Sequence, residues 1–456
     1  MKLTVNNLGA VSHAEIDLDK RLLIFTGENN TGKTYLVYTV YFSYIFEFYG
    51  YEELPSVFSN NKNITINLNE NYKINLLDLM SNTEYLGSYQ KFVSQNMQKQ
   101  LSDFFSAPKT AFDKTFISLE INEQDISQQA ILDFEINTEL DSLLLTKKSD
   151  SLDAVLTNTK IETYKVLEKD FEQVDYIIYI LFYHSMHSSR TCIFPAEREG
   201  INLFNKELLL FRNKAFQKLI SEKKQTKELV DFMQTRFDRY PQPIRDALNG
   251  QNNYDVIKSK TSDYAYLAKE LEDTFLKGDI VLNTEGDVVF KPQSMDKPLD
   301  IHLTSSTVKS LSSLIVYLRH TAKKGDFIII DEPELNLHPD NQRKIARFFG
   351  RLINEGFKVL ISTHSDYIVR ELNNLIMLSH GFTTKKADTL ALLERYNYTE
   401  NELIAAEKVG VYLFRVGQPV ENVVVEDTGF NIATIDEEIR KLNQSSQDIY
   451  FTLFDQ

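Results

Sequence analysis

The residues with the clearest chemical potential form the run Gly27-Glu-Asn-Asn-Thr-Gly32-Lys33-Thr34, directly after an apolar stretch at 22–25. This run matches the phosphate-binding pattern G-x-x-x-x-G-K-[ST]. Two glycines permit backbone angles that turn successive amides into one anion-binding nest. Lys33 is then expected to reach the β- and γ-phosphates, and the Thr34 hydroxyl to hold Mg²⁺. The predicted nucleotide-binding residues are Gly27, Asn29, Asn30, Thr31, Gly32, Lys33 and Thr34.

Two further apolar runs end in side chains suited to hydrolysis. The run at 327–330 ends in Asp331 and Glu332. Asp331 is predicted to grip Mg²⁺ through its water shell, and Glu332 is placed where a general base orients an attacking water. The run at 359–361 leads to His364, which at that sheet edge can reach a γ-phosphate and orient water. We therefore predict Glu332 and His364 as catalytic residues, and Thr34 and Asp331 as metal-binding residues.

The segments DEPELNLHP (331–339) and STHS (362–365) closely resemble the ABC-type ATPases of the SMC/RecF/OLD-like branch. The resemblance covers about residues 1–50 and 190–390. It implies an α/β fold, an ABC-type P-loop NTPase head with a mixed or parallel central sheet, here with an α/β insertion and a short helical lobe. It also implies ATP and Mg²⁺ as cofactors, hydrolysis of ATP to ADP and phosphate, and a head-to-tail homodimer that sandwiches two ATP molecules.

In such a dimer, a signature segment of one chain contacts the γ-phosphate bound by the other. The candidate is Ser305-Ser306, ahead of a helix predicted at 310–320. Serine hydroxyls at a helix N-terminus suit an anion. Family members commonly carry glycine where this chain has Thr307.

Two more segments are assigned by the same resemblance. The run IFPAEREG (193–200) lies where other ABC proteins have a glutamine loop, and Glu197 or Arg198 could contact Mg²⁺, water or a partner. Asn336 and His338 fall in the loop that contacts the other subunit in related dimers.

The predicted elements divide the chain into six parts. Strands at 278–290 form a hairpin, those at 327–330 and 358–361 are parallel and buried on both faces, and those at 409–414 and 420–425 form an added hairpin. The predicted parts are 1–50, ATPase core; 51–170, α/β insertion; 171–200, return to the core with the coupling loop; 201–277, helical lobe; 278–390, second half of the core; and 391–456, C-terminal cap or partner-docking segment, ending in an acidic helix.

The composition of the chain limits where this chemistry takes place and which other sites the protein can have. The chain has 456 residues, 42% hydrophobic and 25% charged, with a formal net charge of −15. Since no apolar run approaches the ~20 residues of a membrane span, we expect a cytoplasmic protein without membrane contact. One cysteine excludes an intrachain disulfide and a multi-cysteine zinc site. The acidic charge disfavours nonspecific nucleic-acid binding overall. A basic stretch at 212–227 is either a solvated helix face or a local groove.

The function predicted from these features is regulatory. No sustained heptads separate the two halves, and no Toprim-like carboxylate pattern follows His364. The chain instead resembles compact ATPases of bacterial antiphage systems, such as Septu, PARIS and the retron-associated ATPases. That resemblance implies an ATP-hydrolysing scaffold that controls a separate effector, a nuclease or toxin. The alternatives are a RecF-like DNA repair ATPase that binds DNA directly, and a nucleotide-locked assembly protein with little turnover.

Overall fold

The computed structural model describes residues 1–45, 73–75, 83–121, 134–137, 143–147, 153–158, 190–205, 207–208 and 239–454. The basic stretch at 212–227 and most of the predicted insertion at 51–170 lie outside these ranges. The strands of the described ranges are β1 (Lys2–Leu8), β2 (Val11–Asp17), β3 (Leu22–Gly27), β4 (Lys73–Asn75), β5 (Phe116–Glu120), β6 (Phe134–Asn137), β7 (Leu143–Lys147), β8 (Asp153–Asn158), β9 (Thr191–Phe194), β10 (Gly278–Leu282), β11 (Val288–Pro292), β12 (Leu299–Asp300), β13 (Phe327–Asp331), β14 (Lys358–Thr363), β15 (Val409–Phe414) and β16 (Glu421–Val423).

The helices vary from a single turn to twenty-two residues, and shorter 3₁₀ and π-helical turns join several of them. Within the same ranges they are α1 (Lys33–Ile45), α2 (Thr83–Phe104), α3 (Gln242–Asn252), α4 (Tyr254–Ile257), α5 (Ala265–Leu271), α6 (Ser306–His320), α7 (Pro339–Asn354), α8 (Asp366–Thr384), α9 (Lys386–Tyr396) and α10 (Ala433–Phe454). Of the helices described here, none combines the length and the apolar character that crossing a membrane requires.

The central sheet has the strand order β16-β15-β3-β14-β13-β9. The strands β15, β3, β14, β13 and β9 run parallel, and β16 pairs antiparallel with β15. Every residue of β3 and β13 is buried, as expected for parallel strands covered on both faces. The α/β prediction with a mixed central sheet is confirmed, and so is the parallel pairing of the runs at 327–330 and 358–361.

Two apolar cores cover the two faces of this sheet. On one face, α1 and α2 pack with the antiparallel sheet β2-β1-β5, and Leu3, Phe25, Phe92 and Ile117 share one cluster. On the other face, α6, α7 and α8 contribute to a second cluster with the opposite side chains of the same strands. The parallel strands are thereby held in place, so their carboxyl ends meet at one edge of the sheet.

The segment 83–121 contacts the ATPase core directly. β5 pairs antiparallel with β1, with Leu119 opposite Leu3. The aromatic rings of Phe42 in α1 and Phe104 in α2 stack with centroids 4.3 Å apart. The proposed boundaries of an insertion at 51–170 stay a prediction, but this part of it belongs to the packed N-terminal face. β4, β8, β7 and β6 form a separate antiparallel sheet.

Several predicted element boundaries are corrected. The helix expected at 310–320 begins at Ser306, because the Ser305 side chain caps it by accepting from the Val308 amide. The hairpin at 409–425 is confirmed, but it is no appendage, since β15 pairs in parallel with β3 along its whole length. The hairpin predicted at 278–290 is formed by β10 and β11 and gains a third strand, β12.

A substitution at Gly350 tests the packing of α7. A Cβ there would lie 2.0 Å from the backbone oxygen of Glu402, which no side-chain movement relieves. Although alanine favours a helix over glycine by about 1 kcal/mol, the overpacking is expected to cost more, about 1–3 kcal/mol. We expect Gly350→Ala to lower the melting temperature. Gly87→Ala, in α2 with nothing within 4 Å of the new Cβ, is the matched control and should not lower it. Equal melting temperatures for the two variants would contradict the packing described here.

Candidate nucleotide-binding site

The predicted phosphate loop joins β3 to α1 and has the backbone that an anion nest requires. The φ angles of Gly27, Asn30 and Gly32 are +130°, +60° and +90°. A Cβ at Gly27 would lie 2.0 Å from the carbonyl oxygen of Phe414, the last residue of β15. The same carbonyl accepts a hydrogen bond from the Glu28 amide at 3.1 Å. The C-terminal strand therefore fixes the start of the loop, and glycine is needed there for both conformation and space.

Lys33 lies at the start of α1 with its ammonium group over the loop. Its Nζ donates to the carbonyl oxygens of Gly27 at 3.2 Å and Glu28 at 2.5 Å. Burial lowers the pKa of Lys33 to about 8, while the nearby carboxylates of Glu332 and Asp331 act in the opposite direction. A buried cation at the positive end of a helix makes this pocket suited to a polyanion.

Asp331 lies at the end of β13 and is fully buried. Its Oδ2 accepts from the Thr34 hydroxyl at 3.1 Å, and its Oδ1 accepts from the Ser362 hydroxyl. Burial raises the pKa of Asp331 to about 6, against the effect of these two hydrogen bonds. The structure thus brings together the two predicted metal-binding residues, Thr34 at the start of α1 and Asp331 at the end of β13.

The donor set at this position fits Mg²⁺. A carboxylate and a hydroxyl are hard oxygen ligands, and Mg²⁺ usually takes only one or two carboxylates, with water and phosphate completing its octahedron. In the part of the chain that the structure describes, no group of three or more His, Cys, Asp or Glu could hold an ion by itself. Thr34 and Asp331 would therefore hold Mg²⁺ together with a bound nucleotide.

Glu332 and His364 face each other across the ends of β13 and β14. Glu332 Oε1 lies 3.8 Å from His364 Nε2, and both side chains are about one-third exposed (32% and 31%). Burial, followed by the charge of Lys33, lowers the pKa of His364 despite the neighbouring carboxylate. The pair is thus open to the pocket, with the imidazole favoured in its neutral form.

The backbone of Glu332 is held in an unusual conformation. Its φ is +50°, in the left-handed region that side chains other than glycine rarely adopt. Its amide donates to the carbonyl and hydroxyl oxygens of Ser362 at 3.2 and 3.0 Å, and its carbonyl accepts from Arg198 at 2.8 Å. These contacts stabilise a strained residue at the site, a pattern typical of functional positions.

Sequence reasoning missed three positioning residues. Arg198, expected to contact Mg²⁺, water or a partner, is buried and donates to the carbonyls of Asp331 (2.7 Å) and Glu332. Ser362 bonds both the Asp331 carboxylate and the Glu332 amide. Glu334 accepts from the Thr363 hydroxyl at 2.9 Å and the His364 amide at 2.6 Å. All three residues lie in runs that the sequence singles out, IFPAEREG, STHS and DEPE, but the contacts through which they act carry no sequence pattern.

The predicted signature residues lie apart from this cluster. Ser305 and Ser306 are exposed at the N-terminus of α6. Among the described residues, no hydrogen bond or ion pair links either serine to the phosphate loop, Glu332 or His364. The Thr307 hydroxyl instead donates to the Asn336 carbonyl at 3.3 Å. The Asn336 amide group in turn donates to Glu199 at 2.6 Å, which connects the signature segment to the loop after β9.

The raised pKa of Asp331 yields a stability prediction. Its folded-state pKa of about 6 lies above the ordinary value of 3.8, so the folded protein binds the extra proton between these values. Stability from this group is present at low pH and lost as pH rises through about 6. We expect Asp331→Asn to be more stable than the wild type at pH 7.5 without nucleotide, by about 3 kcal/mol at most, and therefore to melt at a higher temperature. The difference from the wild type should shrink as the pH falls from 6 to 4. A stability difference between the wild type and Asp331→Asn that stays constant over that window would contradict the assignment; Asp366→Asn, in a helical ion pair with Arg370, is the control.

Comparison with known proteins agrees with this geometry. The family model described as an AAA ATPase domain matches residues 1–369. The energy-coupling factor transporter ATP-binding protein EcfA2 of Mycoplasma mobile is 31% identical over 128 residues, which are 27% of this chain and 38% of that protein. EcfA of Carboxydothermus hydrogenoformans is 32% identical over 85 residues, which are 18% of this chain and 32% of that protein. The matched part spans less than two-fifths of either relative.

Solved structures of SMC heads are also similar. The Smc head domain of Pyrococcus furiosus with an extended coiled coil, bound to the C-terminal domain of ScpA, has 11% identity and a TM-score of 0.34 and covers 96% of this chain and 98% of that chain. The SMC head domain from Thermotoga maritima has 9% identity and a TM-score of 0.31 and covers 93% and 98%. The family match spans most of the chain and includes the phosphate loop, Asp331, Glu332 and His364. The chain therefore belongs to the AAA ATPase domain family.

Proposed function

We propose that this chain binds and hydrolyses ATP as a sandwich dimer, and that this cycle controls a separate effector, a nuclease or toxin, in a bacterial antiphage complex in the cytoplasm. One observation carries the dimer proposal. The phosphate loop, Asp331, Glu332 and His364 converge at one sheet edge, whereas Ser305 and Ser306 are exposed and do not contact them. The site is therefore half of a composite site, and a second copy supplies the other half.

Each side chain of the cluster has a distinct role in this proposal. The amides of the phosphate loop and the Lys33 ammonium bind the phosphates, and Thr34 with Asp331 holds Mg²⁺. The bound metal supplies charge neutralisation at the phosphates. The Glu332 carboxylate takes a proton from the attacking water, and the neutral imidazole of His364 orients that water. Arg198 and Ser362 keep Glu332 in its left-handed conformation, so the carboxylate stays directed to the pocket.

The exposed start of α6 fits the role of the partner's contact. α6 has 15 residues, and the exposed Ser305 and Ser306 lie at its N-terminus. A helix N-terminus of this length favours an anion such as a γ-phosphate. The hydrogen bond from Thr307 to the Asn336 carbonyl joins this contact to the loop that directly follows Glu332. A movement of α6 at one composite site can thus displace the loop after Glu332, which belongs to the other composite site.

The regulatory part of the proposal rests on sequence resemblance. The DEPELNLHP and STHS segments resemble the SMC/RecF/OLD-like branch of ABC-type ATPases. The compact chain as a whole, without sustained heptads or a Toprim-like pattern, resembles antiphage ATPases that act on separate effector proteins. The division into six parts and the docking role of the C-terminal segment belong to the same proposal.

Glu332→Gln tests the catalytic and dimer assignments together. The amide keeps the size of the side chain but cannot accept the proton, so we expect phosphate release to fall by about 10²–10⁴-fold. ATP binding should persist, and the variant should accumulate as an ATP-bound dimer in size-exclusion chromatography with light scattering. Lys33→Ala is the control, because it should lose ATP binding and the ATP-dependent dimer. Unchanged phosphate release by Glu332→Gln would contradict the assignment of Glu332 as the general base.

Cell-based and DNA-binding measurements separate the regulatory proposal from its alternative. Cells carrying the chain with its genomic neighbours should reduce phage plating, and Glu332→Gln should abolish that protection. ATPase activity of the isolated chain that is stimulated by DNA, and lost steeply with added salt, would instead favour a DNA repair ATPase.

A further inference from the structure

The C-terminal helix α10 extends away from the rest of the protein. Its start is anchored by Ile432, a buried residue just before the helix, and by Ile435, which packs against the core on the α6–α8 face. From Arg440 to Phe454 every residue is exposed. About four turns of helix therefore expose their side chains instead of packing them against the described body of the protein.

This projecting segment carries large apolar side chains. They are between 56% and 71% exposed, namely Leu442, Ile449, Tyr450, Phe451, Leu453 and Phe454. Monomeric proteins rarely expose a contiguous apolar patch of more than a few hundred Å², and such patches mark interaction sites. A short isolated helix is also marginal in water unless its apolar face is covered. Both considerations indicate that α10 is covered by a partner.

The spacing of these residues identifies the kind of partner. Ile435, Ile439, Leu442, Ile449 and Leu453 follow steps of three and four residues, with Ser446 at the intervening position. This 3.5-residue period is the seam of a coiled coil, where side chains of one helix insert between those of another. Tyr450 and Phe454 widen the stripe on one flank, as in helices that face a bundle. The covering element is therefore another helix.

The charges of α10 favour a second copy as that helix. Between Leu442 and Phe454, the sole charged side chain in the sequence is Asp448, which lies outside the seam. Two copies can meet along the seam without bringing like charges together. Closer to the body, the acidic residue Glu438 is paired with Lys441 at 2.6 Å within the same helix.

We propose that α10 pairs with α10 of a second copy along the seam formed by Ile439, Leu442, Ile449 and Leu453, and that this pairing does not require nucleotide. It adds a second interface to the ATP-dependent contact between the heads. Two chains joined in this way stay together after ATP is hydrolysed, so the heads can close again without a new encounter.

Site-directed cross-linking tests the seam. Ile449→Cys places a thiol on the seam, and Phe451→Cys places one on the opposite face at similar exposure. Both variants carry Cys192→Ser, because the natural thiol is free and partly exposed and would otherwise compete. Under mild oxidation without nucleotide, we expect Ile449→Cys alone to cross-link if the helices are parallel. A mixture of Leu442→Cys and Ile449→Cys should cross-link if they are antiparallel. Cross-linking of Phe451→Cys to the same extent as the seam variants would overturn the proposal.

The mass in solution gives an independent readout on the full chain. The triple variant Leu442→Ser/Ile449→Ser/Leu453→Ser should weaken nucleotide-free self-association at least tenfold, whereas Phe451→Ser should match the wild type. Equal masses for all three proteins would mean that another partner, or the chain's own body, covers α10. ATP added to Glu332→Gln in the triple-variant background should still produce the head dimer. Failure of that last step alone would contradict the proposed ATP cycle and leave the α10 pairing intact.

Discussion

The site depends on one buried carboxylate, that of Asp331, at the end of a strand with apolar neighbours on both sides. Burying a charge there is unfavourable, and burial raises its pKa to about 6. The chain offsets this with two hydroxyls, from Thr34 after the phosphate loop and from Ser362 on β14. Because these groups come from three separate strands and loops, the sheet order β3-β14-β13 is what makes the site possible.

The second requirement is the close fit of the C-terminal strand. β15 pairs with the strand that precedes the phosphate loop, and the Phe414 carbonyl occupies the space next to Gly27. The family match ends at residue 369, yet this later strand shapes the loop that binds the phosphates. Residues after the matched segment thus have a direct part in the nucleotide site.

Much of this arrangement could be predicted from sequence, because the chemistry occurs where apolar strands end. The phosphate loop, the Asp331-Glu332 pair and His364 each follow a buried strand, so their convergence follows from parallel pairing. The role of Arg198 could not be predicted, since it acts through backbone carbonyls that carry no sequence pattern. The pairing of β15 with β3 could not be predicted either, because strands about 390 residues apart leave no local signal of their pairing.

A mixing experiment tests the central claim that a second copy completes the site. Lys33→Ala removes the phosphate contact of one chain, and Ser306→Arg blocks the exposed start of α6 in the other. Each variant alone should be inactive. Co-expressed in equal amounts, so that the two variants pair at random as they assemble, they should recover roughly a quarter of wild-type phosphate release, since half of the dimers are mixed and each of those has one intact site of two. Full activity of Ser306→Arg alone, or a mixture no more active than its parts, would contradict the composite site.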